Sequence, residues 1–258
     1  MKLHTVCNEA MKRLLRNQSH SFVGYLTAGY PDRESFLRIV KGCEVRGLHI
    51  FEIGYPSLDP FSDGEVIRKA HAAVDPKLRE DMSFWKELRK TISAPIWLMG
   101  YTVDLIDSGM YRKLAEAGYI DALVIPDMDH RSRLALKKEM ESLGVEVLGF
   151  TCHSYDAGEV HETLETYSMI YQQLYSGPTG MQNNSEDYLG LLAESRKESN
   201  AYLFAGFGIG TPERACELIK HGFDGVIIGT AIMKRLNQSE EELYRFVGQL
   251  EEAVEGVK

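Results

Sequence analysis

The chain has 258 residues, 44% of them apolar, and a formal net charge of −9. This length fits one large domain and this apolar fraction fills a sizeable core, while the acidic balance argues against a nucleic-acid footprint and against a polybasic membrane surface. Four cysteines, Cys7, Cys43, Cys152 and Cys216, show no CxxC spacing, which points to a reduced, cytoplasmic protein rather than to a disulfide framework or a zinc knuckle. The N-terminal residues carry charges throughout and read as neither a secretion signal nor a membrane span.

Apolar side chains at Val6, Ala10, Met11, Leu14 and Leu15 recur at helical spacing over residues 5–16, with Lys and Arg on the other face. They predict a helix that caps the bottom of the fold. Phe22 to Thr27 reads as a strand, and Asp32 as the N-cap of a helix to about Arg46. A second strand follows from Leu48 to Ile53, then a long irregular stretch, helices from Asp63 to Val74 and from Met82 to Thr91, and a third strand from Ala94 to Met99. The alternation then becomes regular. Helices near Ser108–Ala117, Arg131–Leu143 and Ala157–Thr166 separate strands at Ala122–Pro126, Val145–Phe150 and Met169–Tyr175. A polar loop from Ser176 to Glu186, a helix to about Lys197, a strand at Ala201–Ala205, a helix at Pro212–His221, a strand at Gly225–Gly229 and a last helix at Ser239–Val257 complete the chain.

Short apolar strands alternating with helices imply a parallel sheet covered by helices. Eight such units in one domain, residues 1–258, favour a closed (β/α)8 TIM barrel over an open doubly wound sheet, and no GxGxxG follows the first strand. The two longest connections, after the second and sixth strands, fall in βα loops, where barrels carry chemistry.

Glu52 stands out because it lies near the end of an apolar strand, where an ionised group needs a partner or a task. The loop after it, rich in Pro and Gly, delivers Asp59 and Asp63 within reach of the strand's mouth; by itself an Asp in such a loop is more often simply solvated. Glycine-containing turns, Gly206–Pro212 and Gly229–Ala231, follow the seventh and eighth strands. Their placement matches the phosphate sites of barrels, where backbone N–H groups and a helix N-terminus face an anion, although simple tight turns remain the alternative. Cys152-His153 is a poor thiol–imidazole pair, because adjacent strand residues point to opposite faces. His71 and His161, on helices, are expected to be solvated, and no metal-ligand spacing includes them.

The motifs Tyr25-Leu26-Thr27-Ala28-Gly29-Tyr30-Pro31, Glu52-Ile53-Gly54-Tyr55-Pro56, Asp59-Pro60-Phe61-Ser62-Asp63-Gly64, Ile125-Pro126-Asp127, Ser176-Gly177-Pro178-Thr179-Gly180 and Gly206-Phe207-Gly208-Ile209 occur in this order. In order and spacing they resemble the tryptophan synthase α subunit family, from about residue 21 to 234. The resemblance implies a lyase that splits indole-3-glycerol phosphate into indole and glyceraldehyde 3-phosphate, without a cofactor or metal and with a tryptophan synthase β subunit as partner. By position it implies that Glu52 moves the protons and that Asp63 accepts a hydrogen bond from the indole N–H. It also implies that Gly206, Gly208, Gly229 and Thr230 hold the phosphate, that Thr179 and Gly180 close over the site with Thr179 orienting Asp63, and that Tyr25, Met99, Tyr101 and Tyr171 line the indole slot.

The sequence departs from the family pattern at Tyr30, Ser57, Leu58, Glu65, Val103 and Tyr175, and lacks a proline that the family carries after Asp127. Most departures fall on loops that face the β subunit in the family. They leave open a stand-alone lyase, a different phosphorylated substrate, or a weakly catalytic subunit that activates a partner.

Overall fold

The structure, a computed structural model, describes residues 4–177 and 188–257. All strands are parallel and form a single sheet ordered β5-β4-β3-β2-β1-β9-β8-β7-β6. The strands are β1 (Ser21–Thr27), β2 (Ile50–Gly54), β3 (Ile96–Met99), β4 (Ala122–Val124), β5 (Glu146–Val147), β6 (Gly149–Cys152), β7 (Met169–Gln173), β8 (Tyr202–Gly206) and β9 (Gly225–Ile228). β5 and β6 are halves of the predicted fifth strand, divided at Leu148. Leu148 N–H still donates to Leu123 O on the β4 side, while β6 turns to pair with β7. The chain itself therefore closes the ring, and the architecture is the predicted barrel with one strand bent at the closure.

The helices are α1 (Glu9–Asn17), α2 (Arg33–Val45), α3 (Glu65–Ala73), α4 (Met82–Thr91), α5 (Met110–Glu116), α6 (His130–Glu141), α7 (Ala157–Thr166), α8 (Tyr188–Glu198), α9 (Pro212–His221), α10 (Thr230–Leu236) and α11 (Glu240–Glu255). Asp32 caps α2 as expected, its Oδ1 accepting from Ser35 N–H at 2.9 Å. Three elements escaped the periodicity: a 3₁₀ turn at Pro76–Arg79, a π turn at Thr102–Ile106, and α10, only two turns long and directly after β9.

The lower barrel is a packed apolar plug. Trp97 of β3 and Phe204 of β8 meet edge-on with ring centroids 4.9 Å apart, and Met11 of α1 seals them from below, its sulfur 3.4 Å from Trp97 Nε1. α1 is fastened there by the fully buried carboxylate of Glu146, which accepts from the backbone N–H groups of Cys7 and Asn8 and from Ser168 Oγ at 2.8 Å. Asn8 adds a donor bond to Gly144 O at 2.9 Å.

Replacing Glu146 by Ala strands these buried donors, so the expected loss of unfolding free energy is about 3 kcal/mol. Urea titration measures it; a loss below about 1 kcal/mol contradicts the anchoring role.

Candidate active site

Above the plug the barrel opens at the C-terminal ends of its strands into a cavity. Tyr25 (β1), Glu52 (β2), Met99 (β3), Phe150 (β6), Tyr171 (β7) and Ile227 (β9) line it from the strands; Asp63, Gly208 and Gly229–Thr230 line it from the loops that follow β2, β8 and β9. The alternation of strand residues accounts for this, because every second side chain of a closed barrel points inward.

Glu52 is buried, 4% exposed, and its carboxyl group forms no hydrogen bond or ion pair with any described residue. Burial pushes its pKa from an ordinary 4.5 up to about 8, and the charge of Asp63 adds to the shift. Asp63, 3% exposed, is held by Tyr101, whose hydroxyl donates to Asp63 Oδ2 at 2.7 Å. Phe61 packs on the Tyr101 ring with centroids 4.8 Å apart. Burial and the Asp63 charge both keep the phenol protonated, so Tyr101 stays a donor. The two acids of the cavity thus have unlike surroundings: one lacks a hydrogen-bonding partner among the described residues, the other is hydrogen-bonded.

The phosphate-like turns are shaped by their glycines. Phe207 and Gly208 both adopt left-handed φ values, 75° and 74°, which turns the chain after β8 into the cavity mouth. Gly229 precedes α10, whose first N–H groups are free of intrahelical acceptors. Lys234 and Arg235 of α10 stand at the same wall.

Among the residues singled out in the sequence, Tyr25, Glu52, Asp63, Met99, Tyr171, Gly208, Gly229 and Thr230 meet at this one cavity. Tyr101 does not line it and stands behind Asp63. Gly206 does not line it either: the Tyr171 ring lies over it, 2.0 Å from where a Cβ would sit, so this glycine makes room for an aromatic wall. Thr179 and Gly180 lie outside the described residues, and Asp59 is exposed. Sequence reading missed Ile67, Val124, Phe150, Phe207, Lys234 and Arg235 on the wall; for Phe207 the signal was an aromatic residue between two glycines.

Two expectations need correction. His71 is not solvated: it is 4% exposed, with Tyr25 Oη at 3.0 Å from Nε2 and Ser57 N–H donating to Nδ1 at 3.0 Å. It continues the buried face of α3 formed by Ile67 and Ala70, with Val74 buried just past the helix end, a face that its polarity disguised. Cys152 and His153 do approach, Sγ to Nδ1 at 3.7 Å, because His153 lies in the turn beyond β6, where strand alternation no longer holds. His161 is exposed as expected and pairs with Glu198 at 2.8 Å. Among the described residues no cluster of three or more His, Cys, Asp or Glu is placed to hold a metal ion, and no helix is long and apolar enough to cross a membrane.

A raised carboxyl pKa has a stability signature. The contribution of protonated Glu52 is complete below about 4.5 and is lost as pH rises through about 8. Glu52→Gln, which cannot ionise, is therefore expected to gain stability over the parent chain at pH 9 but not at pH 4.5. Urea midpoints at the two pH values check this; an equal difference at both contradicts it.

The family model for the tryptophan synthase alpha chain matches residues 11–258. The tryptophan synthase alpha chain of Dehalococcoides mccartyi is 30% identical over 247 residues, covering 91% of this chain and 95% of that protein. Tryptophan synthase from Mycobacterium tuberculosis superposes with a TM-score of 0.81 at 22% identity, covering 96% of this chain and 98% of that one. The tryptophan synthase a2b2 complex of Pyrococcus furiosus does so with a TM-score of 0.77 at 23% identity, covering 90% and 98%. By the extent of the family match and of the first relative, the chain belongs to the tryptophan synthase alpha chain family.

Proposed function

We propose that Glu52 and Asp63 carry out, in this chain, the reaction of its family, the retro-aldol cleavage of indole-3-glycerol phosphate to indole and glyceraldehyde 3-phosphate. The family assignment makes the chain a lyase of tryptophan biosynthesis. The observation that carries the residue roles is the unlike pair of buried acids in one cavity with two glycine turns.

In this reading the phosphate rests against the N–H groups of the Gly208 and Gly229–Thr230 turns, with Lys234 and Arg235 adding positive charge. The indole lies among Met99, Phe150, Tyr171 and Phe207. Glu52, protonated near neutral pH, gives its proton to indole C3. The ring nitrogen then carries the positive charge, and the Asp63 carboxylate, fixed by Tyr101, stabilises it through the N–H. Ionised Glu52 next takes the proton from the hydroxyl on the carbon attached to C3. That carbon becomes the aldehyde as the C–C bonding pair returns to the ring, and neutral indole leaves. One carboxyl group serves both steps because its pKa lies near working pH. The four cysteines are free thiols, in keeping with a cytoplasmic enzyme.

The reading includes a β subunit. The Pyrococcus furiosus relative was described as a mutually activating a2b2 complex. Here Leu58, Phe61 and Val103 are 80%, 56% and 65% exposed on the loops after β2 and β3. Large apolar side chains this exposed, on two adjacent loops, suit a partner surface.

Indole release by the purified chain tests the assignment. Glu52→Gln is expected to lose at least about 10³-fold in kcat, and Asp63→Asn about 10²–10³-fold, with the fold intact by circular dichroism; retained turnover in either refutes its role. In the parent chain kcat/KM should fall as pH rises through about 8, where Glu52 loses its proton. Adding a tryptophan synthase β subunit should raise turnover, and Leu58→Asp with Val103→Asp should abolish that rise while leaving basal turnover unchanged. Indifference of the parent chain to β contradicts the partner reading.

A further inference from the structure

The wall between Glu52 and the phosphate turn carries a hydroxyl group that the steps above do not use. Tyr25 on β1 has Glu52 as its register partner on β2. On its other side Gly24 is paired with Ile228 of β9, which places Gly229 beside Tyr25. A Cβ at Gly229 would lie 3.5 Å from Tyr25 Cβ. A chain joining a phosphate at Gly229 to a carbon protonated by Glu52 therefore passes over Tyr25. The Tyr25 hydroxyl reaches across Gly54, 2.1 Å from where a Cβ there would sit, so only glycine leaves it room.

The direction of this hydroxyl is set from behind. A backbone N–H is always a donor, so the bond from Ser57 N to His71 Nδ1 puts the imidazole proton on Nε2. The 3.0 Å contact with Tyr25 is then Nε2–H donating to the phenol oxygen. Burial keeps the imidazole neutral, taking its pKa down to about 4. Ser57 is itself fixed, its Oγ donating to Asp104 Oδ2 at 2.5 Å while Asp104 pairs with Arg79 at 3.0 Å. With its lone pair engaged, Tyr25 must turn its own O–H elsewhere. Among the described residues its remaining hydrogen-bond partner is Thr27 Oγ1 at 3.4 Å, a long contact that a ligand oxygen displaces easily.

We infer that Tyr25 is a specificity-determining residue, its O–H donating to a hydroxyl oxygen of the glycerol chain of the substrate, and that His71 is the positioning residue that aims it. The inference rests on the cleavage reading above. It makes the slot selective for a hydroxylated chain over a plain three-carbon tether between ring and phosphate, because the hydroxylated chain gains a hydrogen bond from Tyr25 that the deoxy ligand cannot make, while the deoxy ligand leaves Tyr25 on its long contact with Thr27.

The test compares two probes: indole-3-glycerol phosphate as substrate, and 3-(indol-3-yl)propyl phosphate, which keeps ring and phosphate but lacks the chain hydroxyls, as competitive inhibitor. Tyr25→Phe and His71→Leu are each expected to raise KM for the substrate about tenfold and to leave the inhibition constant of the deoxy probe within about twofold. The double variant should be no worse than Tyr25→Phe alone, since His71 acts through the hydroxyl. Equal weakening of both probes would assign the pair a merely structural role and overturn the inference, as would no change in either. Tyr25→Phe keeps the ring, so the comparison survives even where His71→Leu folds poorly. A parent chain that fails to cleave the substrate overturns the cleavage reading, and this inference with it; a parent chain that cleaves, with variants that do not discriminate, overturns this inference alone.

Discussion

The carboxyl group of Glu52 lies on a strand that is otherwise apolar, beneath the mouth of a closed barrel, and the upper half of the molecule is arranged around the cost of placing it there. In water the group would ionise near 4.5; here burial and the neighbouring Asp63 carry it to about 8. Nothing in the described structure relieves the shift, since no donor reaches Glu52. Asp63, by contrast, receives the Tyr101 hydroxyl, and Phe61 shields that pair from solvent. An unrelieved carboxyl group keeps its proton to a higher pH, so the cavity sets a carboxyl group without a donor beside one that accepts a hydrogen bond.

The same residue type does the opposite work at the other end of the barrel. Glu146 is as deeply buried as Glu52, but it gathers donors from Cys7, Asn8 and Ser168 and ties α1 over the barrel floor. Trp97, Phe204 and Met11 fill the floor with apolar volume. Below, both carboxylate oxygens of Glu146 accept hydrogen bonds; above, the carboxyl group of Glu52 has no such partner among the described residues. The separation follows from barrel geometry: the βα loops that can vary without disturbing the sheet all open on one face.

Much of this was legible in the sequence because it depends on local order. Short apolar runs alternating with amphipathic stretches pointed to a parallel sheet, Asp32 marked the start of α2, and a lone Glu on the apolar β2 strand marked the cavity. What escaped notice depends on neighbours in space. The bend at Leu148 arises from closing the ring between β4 and β7, which no local pattern encodes. The α10 helix is too short to show a period. Tyr101 looked like a wall residue of the slot and serves as a brace for Asp63, and Gly206 looked like a phosphate contact and makes room for Tyr171. His71 is the instructive case, because it lies on the same buried face of α3 as Ile67 and Ala70, yet polarity alone suggested solvent. Its partners, Tyr25 and Ser57, come from other segments of the chain, and only folding brings them together.

The ionisation of Glu52 is the property on which the proposed cleavage depends most directly. Carboxyl ¹³C chemical shifts of glutamate-labelled protein, with the Glu52 resonance identified by its loss in Glu52→Gln, give its titration curve in the ligand-free chain. A midpoint near 8, moving downward when Asp63 is replaced by Asn, is the predicted result. A midpoint near the ordinary 4.5 would contradict it, because a carboxylate already ionised at neutral pH has no proton to give.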